Sequence, residues 1–500
     1  MAGTQLNRRR PEEAGVNPQG IIDFLSAVDR EKFDLRSFML LRRGEVLAEG
    51  WWAPHTSEDR HAMYSVSKSF TSTAVGIAIE EGLLNVEDKV VDLLPHLLPE
   101  NPHPNLLQMT VHDLLVMGTG QKQDPLEKAR SQKDADWAKA FLSAEVENVP
   151  GSVFSYSSGA TYMASVILQT LTGQKVMDYL EPRLFAPLGI ERKTWQESPQ
   201  GYTAGGWGLK LCSEDLAKFG QLYLQKGNWN GQQLVPEKWV ELASSKRIDN
   251  GDDPEGDWGQ GYGYQFWMCR HDAYRADGAY GQFCLVLPNQ EAVVVLTSAI
   301  SRTKELLNEV WDHLLPAMQS APLPLSETGE QATKMLTQLE YAPEPAGEVV
   351  TGEAWSGETY QLKGTLDDGD LDEGLVFKSI SLTAHEDGSI KVDLSLAEPQ
   401  NQSEPFPFSL ISGAGVWHKN ENVLSPTTPG FPSDVGPIYA SNSRRADGSI
   451  HIAIRFAEDP ISFNWHFAFE DDTLHFEDLA NPELHQKATK LTGTLENSKA

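Results

Sequence analysis

The sequence predicts an α+β fold, with an antiparallel sheet flanked by helices, followed by an all-β barrel or sandwich domain. The chain has 500 residues, more than one hydrophobic core usually holds, so two domains are expected. Strand patterns lie at both ends of the first part of the chain and helix patterns lie between them, which is typical of an α+β arrangement. Toward the C-terminus helix patterns almost vanish and apolar residues alternate with polar ones.

The elements of the first part follow from hydrophobic periodicity. Residues 36–52 predict two strands around the turn at Arg43-Gly44-Glu45. Helices are predicted where apolar residues recur at helical spacing, over residues 65–82, 110–118, 159–180, 213–226 and 236–246. Residues 262–298 are rich in glycine, aromatic and β-branched residues and predict the remaining strands, and a helix over 302–315 follows them.

A change of composition marks the end of the first domain. Residues 319–345 contain four prolines and only one short helical stretch, near 332–339, so they predict a linker. Beyond them, strict alternation follows the turns Asp387-Gly388 and Asp447-Gly448, as in antiparallel strands with one buried face. We therefore expect a domain over 1–318 and an all-β accessory domain over 346–500 that has no nucleophile motif of its own.

Charge and cysteine content disfavour some classes of partner and compartment. The net charge of −30 argues against nucleic acid and anionic membranes as partners. Cys212, Cys269 and Cys284 are too few and odd in number for a disulfide framework, and they fit a reducing cytoplasm. The apolar stretches are too short to span a membrane, and none follows Arg8-Arg9-Arg10 as a signal peptide requires. The expected protein is cytoplasmic, acts on a small molecule and could dimerise through its β-domain.

The segment Ser65-Val66-Ser67-Lys68 is the most informative one for chemistry. A serine and a lysine three residues apart on a helix lie on one face, so the amine can take the proton of the hydroxyl. This requires burial, which lowers the pKa of a lysine. The same spacing recurs at Ser301–Lys304, but only the first match is followed by an apolar stripe, at Phe70, Ala74, Ile77 and Ala78. Ser65 is therefore predicted to open a buried helix, whose N-terminal N–H groups favour an oxyanion.

A metal site is not expected. The chain has no His-Glu-x-x-His segment and no paired Cys-x-x-Cys, the usual signatures of zinc sites. Asp368, Asp370 and Asp372 mimic the start of a calcium loop, but Glu373 stands where such a loop needs glycine. This segment is expected to be an acidic surface loop, and the chemistry is expected to need no metal or organic cofactor.

Several further segments, taken together with Ser65–Lys68, resemble one family. They are, in chain order, Arg10–Gly15, Glu81–Leu84, Met109–Leu115, Pro150–Ser158, Trp207–Leu209, Ser213–Gly220 and Gly278–Gln282. In this combination the chain resembles the serine β-lactamase and penicillin-binding-protein-like hydrolases, and within them the class C-type esterases and the 6-aminohexanoate-dimer hydrolases. The resemblance covers roughly residues 8–318. It implies a sheet flanked by helices, a mostly helical subdomain and a site between them.

The resemblance also implies roles for single residues. Tyr156 and Ser158 match the family's second motif, Tyr-x-Asn or Tyr-x-Ser. Tyr156 is expected to move protons near Lys68, whose charge should make the tyrosine proton easier to lose. The third motif, usually Lys-Thr-Gly or His-x-Gly, is replaced by Ala276-Asp277-Gly278. Gly278 would let a substrate approach the strand, and the N–H of Ala279 would be the second oxyanion donor beside that of Ser65.

These residues predict a serine hydrolase that cleaves a small ester or a linear amide through an acyl-enzyme, with Ser65 as nucleophile and Lys68 as base. Ala276 stands where penicillin-recognising enzymes have the cation that grips a carboxylate. This favours an esterase or amidase over two alternatives within the family, a β-lactamase and a D-alanyl-D-alanine peptidase. A binding or regulatory protein on the same scaffold is the alternative of another class, and the intact Ser65, Lys68 and Tyr156 argue against it.

Overall fold

The structure is a computed structural model that describes residues 5–130, 132, 135–251, 253, 255–348, 353–366, 375–398, 401–421, 436–479 and 488–496. The chain divides into two units. The first comprises Met1–Trp51, Arg60–Ser298 and Arg302–Leu339, and the second comprises Trp52–Asp59, Ala299–Ser301 and Glu340–Ala500. Within the described ranges, no helix combines the length and the apolar character that crossing a membrane requires.

The first unit is built on a seven-stranded sheet. Its strands are β1 (Asn7–Arg8), β2 (Leu35–Arg42), β3 (Glu45–Trp51), β4 (Trp267–Met268), β5 (Tyr274–Gly278), β6 (Gln282–Leu287) and β7 (Ala292–Ser298). They lie side by side in the order β1-β3-β2-β7-β6-β5-β4, and every neighbouring pair is antiparallel except β1 with β3. Strands β2, β6 and β7 are buried along their whole length, which shows that both faces of the sheet are covered.

Helices pack on this sheet and on each other. The longer ones are α1 (Pro18–Glu31), α2 (Ser67–Glu80), α3 (Ser158–Thr172), α4 (Ser213–Leu224) and α5 (Glu327–Thr337). Shorter helices lie at Val90–Leu93, Val111–Leu115, Leu126–Arg130, Trp137–Ser143, Val176–Leu180, Glu237–Ala243 and Thr303–Glu309. α4 packs on β2, β6 and β7, and α2 packs on α3. One hydrophobic core joins Met39 and Val293 of the sheet to Phe70 of α2 and Met163 of α3, so α2 is held between the sheet and the other helices.

Two segments differ from the elements that the sequence predicts. The helix expected over 159–180 is broken at Gly173, which ends α3 with a φ of 67°. Glycine adopts this left-handed conformation without steric cost, and the chain then starts a second short helix at Val176. α5 lies inside the segment expected to be a linker and belongs to the first unit. The domain bounds 1–318 and 346–500 stay predictions.

The second unit contains a closed barrel of nine strands. These are β8 (Thr359–Leu366), β9 (Leu375–Ala384), β10 (Ile390–Glu398), β11 (Asn401–Ala414), β12 (Ile438–Arg444), β13 (Ile450–Phe456), β14 (Ser462–Glu470), β15 (Thr473–Asp478) and β16 (Thr489–Leu495). Antiparallel pairs join successive strands from β8 to β11 and from β12 to β16, and β16 returns to pair with β8. A parallel pairing of Gly413 with Ser441 closes the ring, and a short strand, His418–Asn420, adds to β12. The all-β prediction is confirmed, as a barrel rather than a sandwich. The acidic segment with Asp368, Asp370 and Asp372 lies outside the described residues.

Asp478 is a carboxylate buried with the apolar core of the barrel. On β15 it continues the alternation of the buried residues Leu474 and Phe476, and it is 0% exposed. Its Oδ1 accepts the N–H of Asn464 at 3.3 Å, whereas Oδ2 has no hydrogen-bond partner among the described residues. Burial raises the pKa of Asp478 to about 7.

This carboxylate is expected to make the stability of the protein depend on pH. Because the pKa of Asp478 is higher in the folded than in the unfolded chain, its contribution is fully present below about pH 4 and is lost as the pH rises through about 7. At about 1.4 kcal/mol for each pKa unit, the loss approaches roughly 4 kcal/mol. We expect Asp478→Asn to unfold at a higher temperature than the native protein at pH 8 but not at pH 4.

Thermal unfolding followed by circular dichroism at the two pH values measures this difference. Asp471→Asn, which removes an exposed carboxylate from the turn between β14 and β15, is the matched control and should keep the native pH dependence. An equally steep fall in unfolding temperature between pH 4 and pH 8 in Asp478→Asn would contradict the expectation.

Candidate active site

Ser65 lies in a single 3-10 turn, Tyr64–Val66, directly before α2. Tyr64 has a φ of 45°, in the left-handed region that residues other than glycine seldom adopt. The N–H of Val66 donates to the carbonyl of Met63 at 3.0 Å and closes the turn. This strained turn places Ser65 at the N-terminal end of α2, where helix N–H groups are available to an anion.

Lys68 lies one turn further along α2 and is 1% exposed. Its Nζ donates to Ser65 Oγ at 2.8 Å, to Ser158 Oγ at 3.0 Å and to the carbonyl of Gly206 at 2.8 Å. Burial lowers the pKa of Lys68 to about 7, Arg130 adds to this effect, and the carboxylates of Asp124 and Asp277 oppose it. These three donated bonds belong to the ammonium form of Lys68. A large share of the lysine is neutral near pH 7, and this form keeps two N–H donors while its lone pair can accept the proton of the Ser65 hydroxyl.

The loop that supplies Gly206 is held by α2 itself. Thr71 Oγ1 donates to the carbonyl of Gly205 at 2.9 Å. The N–H of Leu209 donates to Ser67 Oγ at 3.2 Å. These bonds fix the segment around Trp207-Gly208-Leu209 against the helix, and the Gly206 carbonyl faces Lys68 as a result.

Ser158 is the first residue of α3, and Asp124 holds it there. The carboxylate of Asp124 accepts the N–H of Ser158 at 2.8 Å and the N–H of Gly159 at 3.2 Å. A carboxylate at a helix N-terminus satisfies free N–H groups and interacts favourably with the helix dipole. Asp124 thus positions Ser158 toward Lys68, and its charge favours the protonated lysine.

Tyr156 lies over the same lysine, with the centre of its ring 4.9 Å from Lys68 Nζ. The residue is 38% exposed, yet burial raises the pKa of its hydroxyl well above the ordinary value, and a hydrogen bond with Ser65 opposes that shift. The expectation that the tyrosine proton is easier to lose was therefore wrong in sign. Desolvation is the largest effect and the charges of Asp277 and Asp124 add to it, which together outweigh the cation of Arg275 and the hydrogen bond with Ser65, so Tyr156 stays a neutral phenol.

Gly278, at the end of β5, touches the turn that carries Ser65. A Cβ at this position would lie 2.4 Å from the carbonyl oxygen of Met63, so no other residue fits without moving the backbone. Ala279 follows directly, and its carbonyl accepts a hydrogen bond from Gln282 Nε2 at 3.2 Å. The strand end and the Ser65 turn are thereby in contact, with Ala279 next to the nucleophile turn.

The residues around the third motif form a buried ion pair. Arg275 Nε donates to Asp277 Oδ2 at 2.7 Å, and Ala276 between them is 1% exposed. Burial raises the pKa of Asp277, and Arg275 opposes that rise. The position at which the family usually has a cation therefore has a methyl group, followed by a carboxylate.

The structure brings the predicted residues Ser65, Lys68, Tyr156 and Ser158 together, whereas the second serine–lysine match has another environment. Lys304 is 54% exposed and forms an ion pair with Asp253 at 3.5 Å. Two contributors were missed, the carboxylate of Asp124 and the carbonyl of Gly206. Asp124-Pro125 is a typical start of a helix, and Asp124 does accept the N–H of Leu126, but nothing local indicates that it also binds α3.

No metal site accompanies these residues in the part of the chain that the structure describes. There, no three His, Cys, Asp or Glu side chains converge to hold an ion. Cys212, Cys269 and Cys284 form no disulfide within the described residues.

Comparison with known proteins places these features in a wider context. The model of the Beta-lactamase family matches residues 36–317. The chain is 28% identical over 286 residues to a 6-aminohexanoate-dimer hydrolase from Paenarthrobacter ureafaciens, with 53% of this chain and 72% of that protein covered. It is 22% identical over 317 residues to penicillin-binding protein 4 from Amycolatopsis lactamdurans, with 56% and 82% covered. The solved structure of EstCE1, a hydrolase with promiscuous acyltransferase activity, matches with a TM-score of 0.50 at 16% identity, over 59% of this chain and 99% of that chain. The last comparison concerns the fold alone.

The charge of Asp124 is expected to tune Lys68 measurably. Because this carboxylate favours the protonated amine, Asp124→Asn should lower the pKa of Lys68 below its native value of about 7. The asparagine oxygen can still accept the N–H of Ser158, so the start of α3 is retained. NMR titration of lysine labelled at Cε measures the pKa directly. Asp29→Asn, on the exposed side of α1, is the control, and a pKa that stays at the native value or rises in Asp124→Asn would refute the expectation.

Proposed function

Because this chain belongs to the Beta-lactamase family, we propose that it is a serine hydrolase that cleaves small esters or linear amides through an acyl-enzyme on Ser65. The observation that carries the proposal is the 2.8 Å hydrogen bond from Lys68 Nζ to Ser65 Oγ, made by a buried lysine whose pKa is lowered to about 7. A serine is a poor nucleophile until an adjacent base accepts its proton, and this lysine meets that need.

In the first step Ser65 Oγ attacks the substrate carbonyl while its proton passes to the neutral amine of Lys68. The oxyanion that forms would accept hydrogen bonds from the N–H groups of Ser65 and Ala279, at the helix start and the strand end that meet at Gly278. Collapse of the intermediate breaks the bond to the leaving group and produces the acyl-enzyme. Water then attacks the ester on Ser65 while Lys68 takes up its proton. The bond between the acyl carbon and Ser65 Oγ breaks, the acid is released, and the proton on Lys68 returns to Ser65 Oγ.

In this mechanism Tyr156 transfers protons as a neutral phenol. Its hydroxyl forms a hydrogen bond with Ser65, and its ring lies over Lys68. Tyr156 can therefore donate its proton to the departing oxygen or nitrogen and regain one from the lysine. Ser158 accepts a hydrogen bond from Lys68 and keeps the amine directed toward the reacting atoms. Neither role requires the tyrosinate, which agrees with the raised pKa of Tyr156.

The preference for esters and linear amides rests on the third motif. β-Lactams carry a carboxylate, and here Ala276 offers no cation to bind it while Asp277 adds a negative charge. The relative from Paenarthrobacter ureafaciens is named for hydrolysis of a dimer of 6-aminohexanoate, which supports a linear amide as substrate. A β-lactamase or a D-alanyl-D-alanine peptidase is the less favoured function on this argument.

Covalent labelling tests the nucleophile. A fluorophosphonate probe should form one adduct on the peptide that contains Ser65, and Ser65→Ala should abolish it, because the hydroxyl that attacks is removed. Ser301→Ala is the matched control, since Ser301 opens the second serine–lysine match, and it should label as the native protein does. Undiminished labelling of Ser65→Ala in intact-mass spectra would refute the assignment. Complete absence of labelling in the native protein would favour a non-catalytic binding protein.

Substrate preference is tested with two chromogenic compounds. The native protein should hydrolyse p-nitrophenyl acetate with a kcat/KM at least about fivefold above that for nitrocefin, because repulsion by one carboxylate across a few ångströms is worth about 1 kcal/mol or more. Ser65→Ala provides the background rate for both compounds. Faster turnover of nitrocefin would reverse the ranking of the two functions.

A further inference from the structure

Asp277 lies in the end of β5 that meets the Ser65 turn, and the surface around Ser65, Lys68 and this strand end is called the cleft. Asp277 directly precedes Gly278, which touches the Met63 carbonyl, and its side chain is 13% exposed. Its charge acts on both Lys68 and Tyr156. Oδ2 accepts from Arg275 Nε at 2.7 Å, whereas Oδ1 makes no hydrogen bond within the described part of the chain. One oxygen of this carboxylate is therefore available to a ligand.

A ligand that approaches this ion pair does not meet Arg275, because the guanidinium of Arg275 is buried. The side chain is 0% exposed and stacks on the ring of Trp258, with 4.4 Å between the guanidinium carbon and the ring centre. Its Nη1 donates to the carbonyl of Asp257 at 2.8 Å. The accessible end of the ion pair is thus the anion, and the arginine fixes its orientation.

Aromatic rings adjoin the carboxylate. Trp267 of β4 is paired in register with Arg275 of β5, two residues from Asp277. The centre of its ring lies 5.5 Å from that of Tyr156 and 5.0 Å from that of Tyr262. Lys68 Nζ lies over the Tyr156 ring, and the guanidinium carbon of Arg275 lies 5.6 Å from the centre of the Trp267 ring. Tyr156 is exposed and Trp267 is half-buried, so the exposed part of each ring is the surface open to a ligand. The faces of such rings carry partial negative charge and attract cations.

We propose that this cleft selects substrates that carry an ammonium group close to the ester or amide bond, with Asp277 as the anionic partner and Tyr156 and Trp267 as the aromatic surface. The inference rests on the proposed function, since it names the substrate class of the same site. A partly buried carboxylate stabilises a bound cation, and so do the faces of aromatic rings near it. Lys68 is neutral when it receives such a substrate as the base, and the positive charge that it then gains is balanced by the oxyanion that forms in the same step.

Two pairs of matched esters test the inference. In the first pair the charge lies in the acyl group: the p-nitrophenyl ester of γ-trimethylammoniobutyric acid is compared with its neutral isostere, in which carbon replaces nitrogen. In the second pair it lies in the leaving group: acetylcholine is compared with dimethylbutyl acetate, its neutral carbon isostere. The ratio of kcat/KM for the cation to that for the isostere is measured on the full-length native protein, Asp277→Asn and Asp29→Asn.

The native protein should prefer the cation by about tenfold or more in at least one pair. Asp277→Asn should lose that preference, and Asp29→Asn, which removes an exposed carboxylate of α1, should keep it. A native ratio near one in both pairs, or a preference that survives in Asp277→Asn, overturns the inference. Since each ratio compares two esters on the same variant, a general loss of activity cancels.

A second measurement needs no variant. Choline should inhibit p-nitrophenyl acetate hydrolysis by the native protein at about tenfold lower concentration than dimethylbutanol, its neutral isostere, and equal inhibition overturns the inference. Failure of the proposed function gives a different result. In that case the native protein hydrolyses neither p-nitrophenyl acetate nor any of the four esters above the rate of Ser65→Ala.

Discussion

The buried amine of Lys68 is the interaction on which the rest of the site depends, because a lysine can be kept neutral near pH 7 only where water is excluded. The oxygens that accept its N–H groups are those of Ser65, Ser158 and Gly206, and all of them are uncharged. A carboxylate in any of these positions would hold the amine protonated. Asp124 and Asp277 act only through space, and burial remains the dominant effect. Three separate parts of the chain must therefore meet at one atom: the turn before α2, the start of α3 and the loop at Gly205–Gly206.

The same exclusion of water shifts the pKa of Tyr156 in the opposite direction to that of Lys68. Burial disfavours the charged form of each group, which lowers the pKa of the lysine and raises that of the tyrosine. Burial thus shifts both groups toward their neutral forms, and the neutral form of Lys68 is the one that can take the proton of Ser65. The contact between Gly278 and the Met63 carbonyl brings the end of β5 against the turn that carries Ser65.

Local patterns in the sequence predict most of the elements of the fold, and the exceptions have identifiable causes. The hairpin β2–β3, the apolar stripe behind Lys68 and the alternation after the Asp-Gly turns are periodic features, and the structure confirms the elements that they predict. The break at Gly173 has a local signal, the glycine itself, that the longer periodicity overrode. Asp124 and Gly206 reach Lys68 through tertiary contacts that no spacing encodes. The pKa of Tyr156 was misjudged because a sequence names charged neighbours but not the degree of burial.

Closure of the barrel has a consequence for how the second unit can assemble. The pairing of Gly413 and Ala414 with Ser441 and Asn442 joins β11 to β12 at one end of the seam, so the backbone at that end is not open to another strand. Association of two copies by continuous hydrogen bonding from one sheet into the next is thereby disfavoured at this end of the seam. A contact between two copies at this end has to be built from side chains and turns, and its specificity would then change rapidly with surface substitutions that leave the barrel intact.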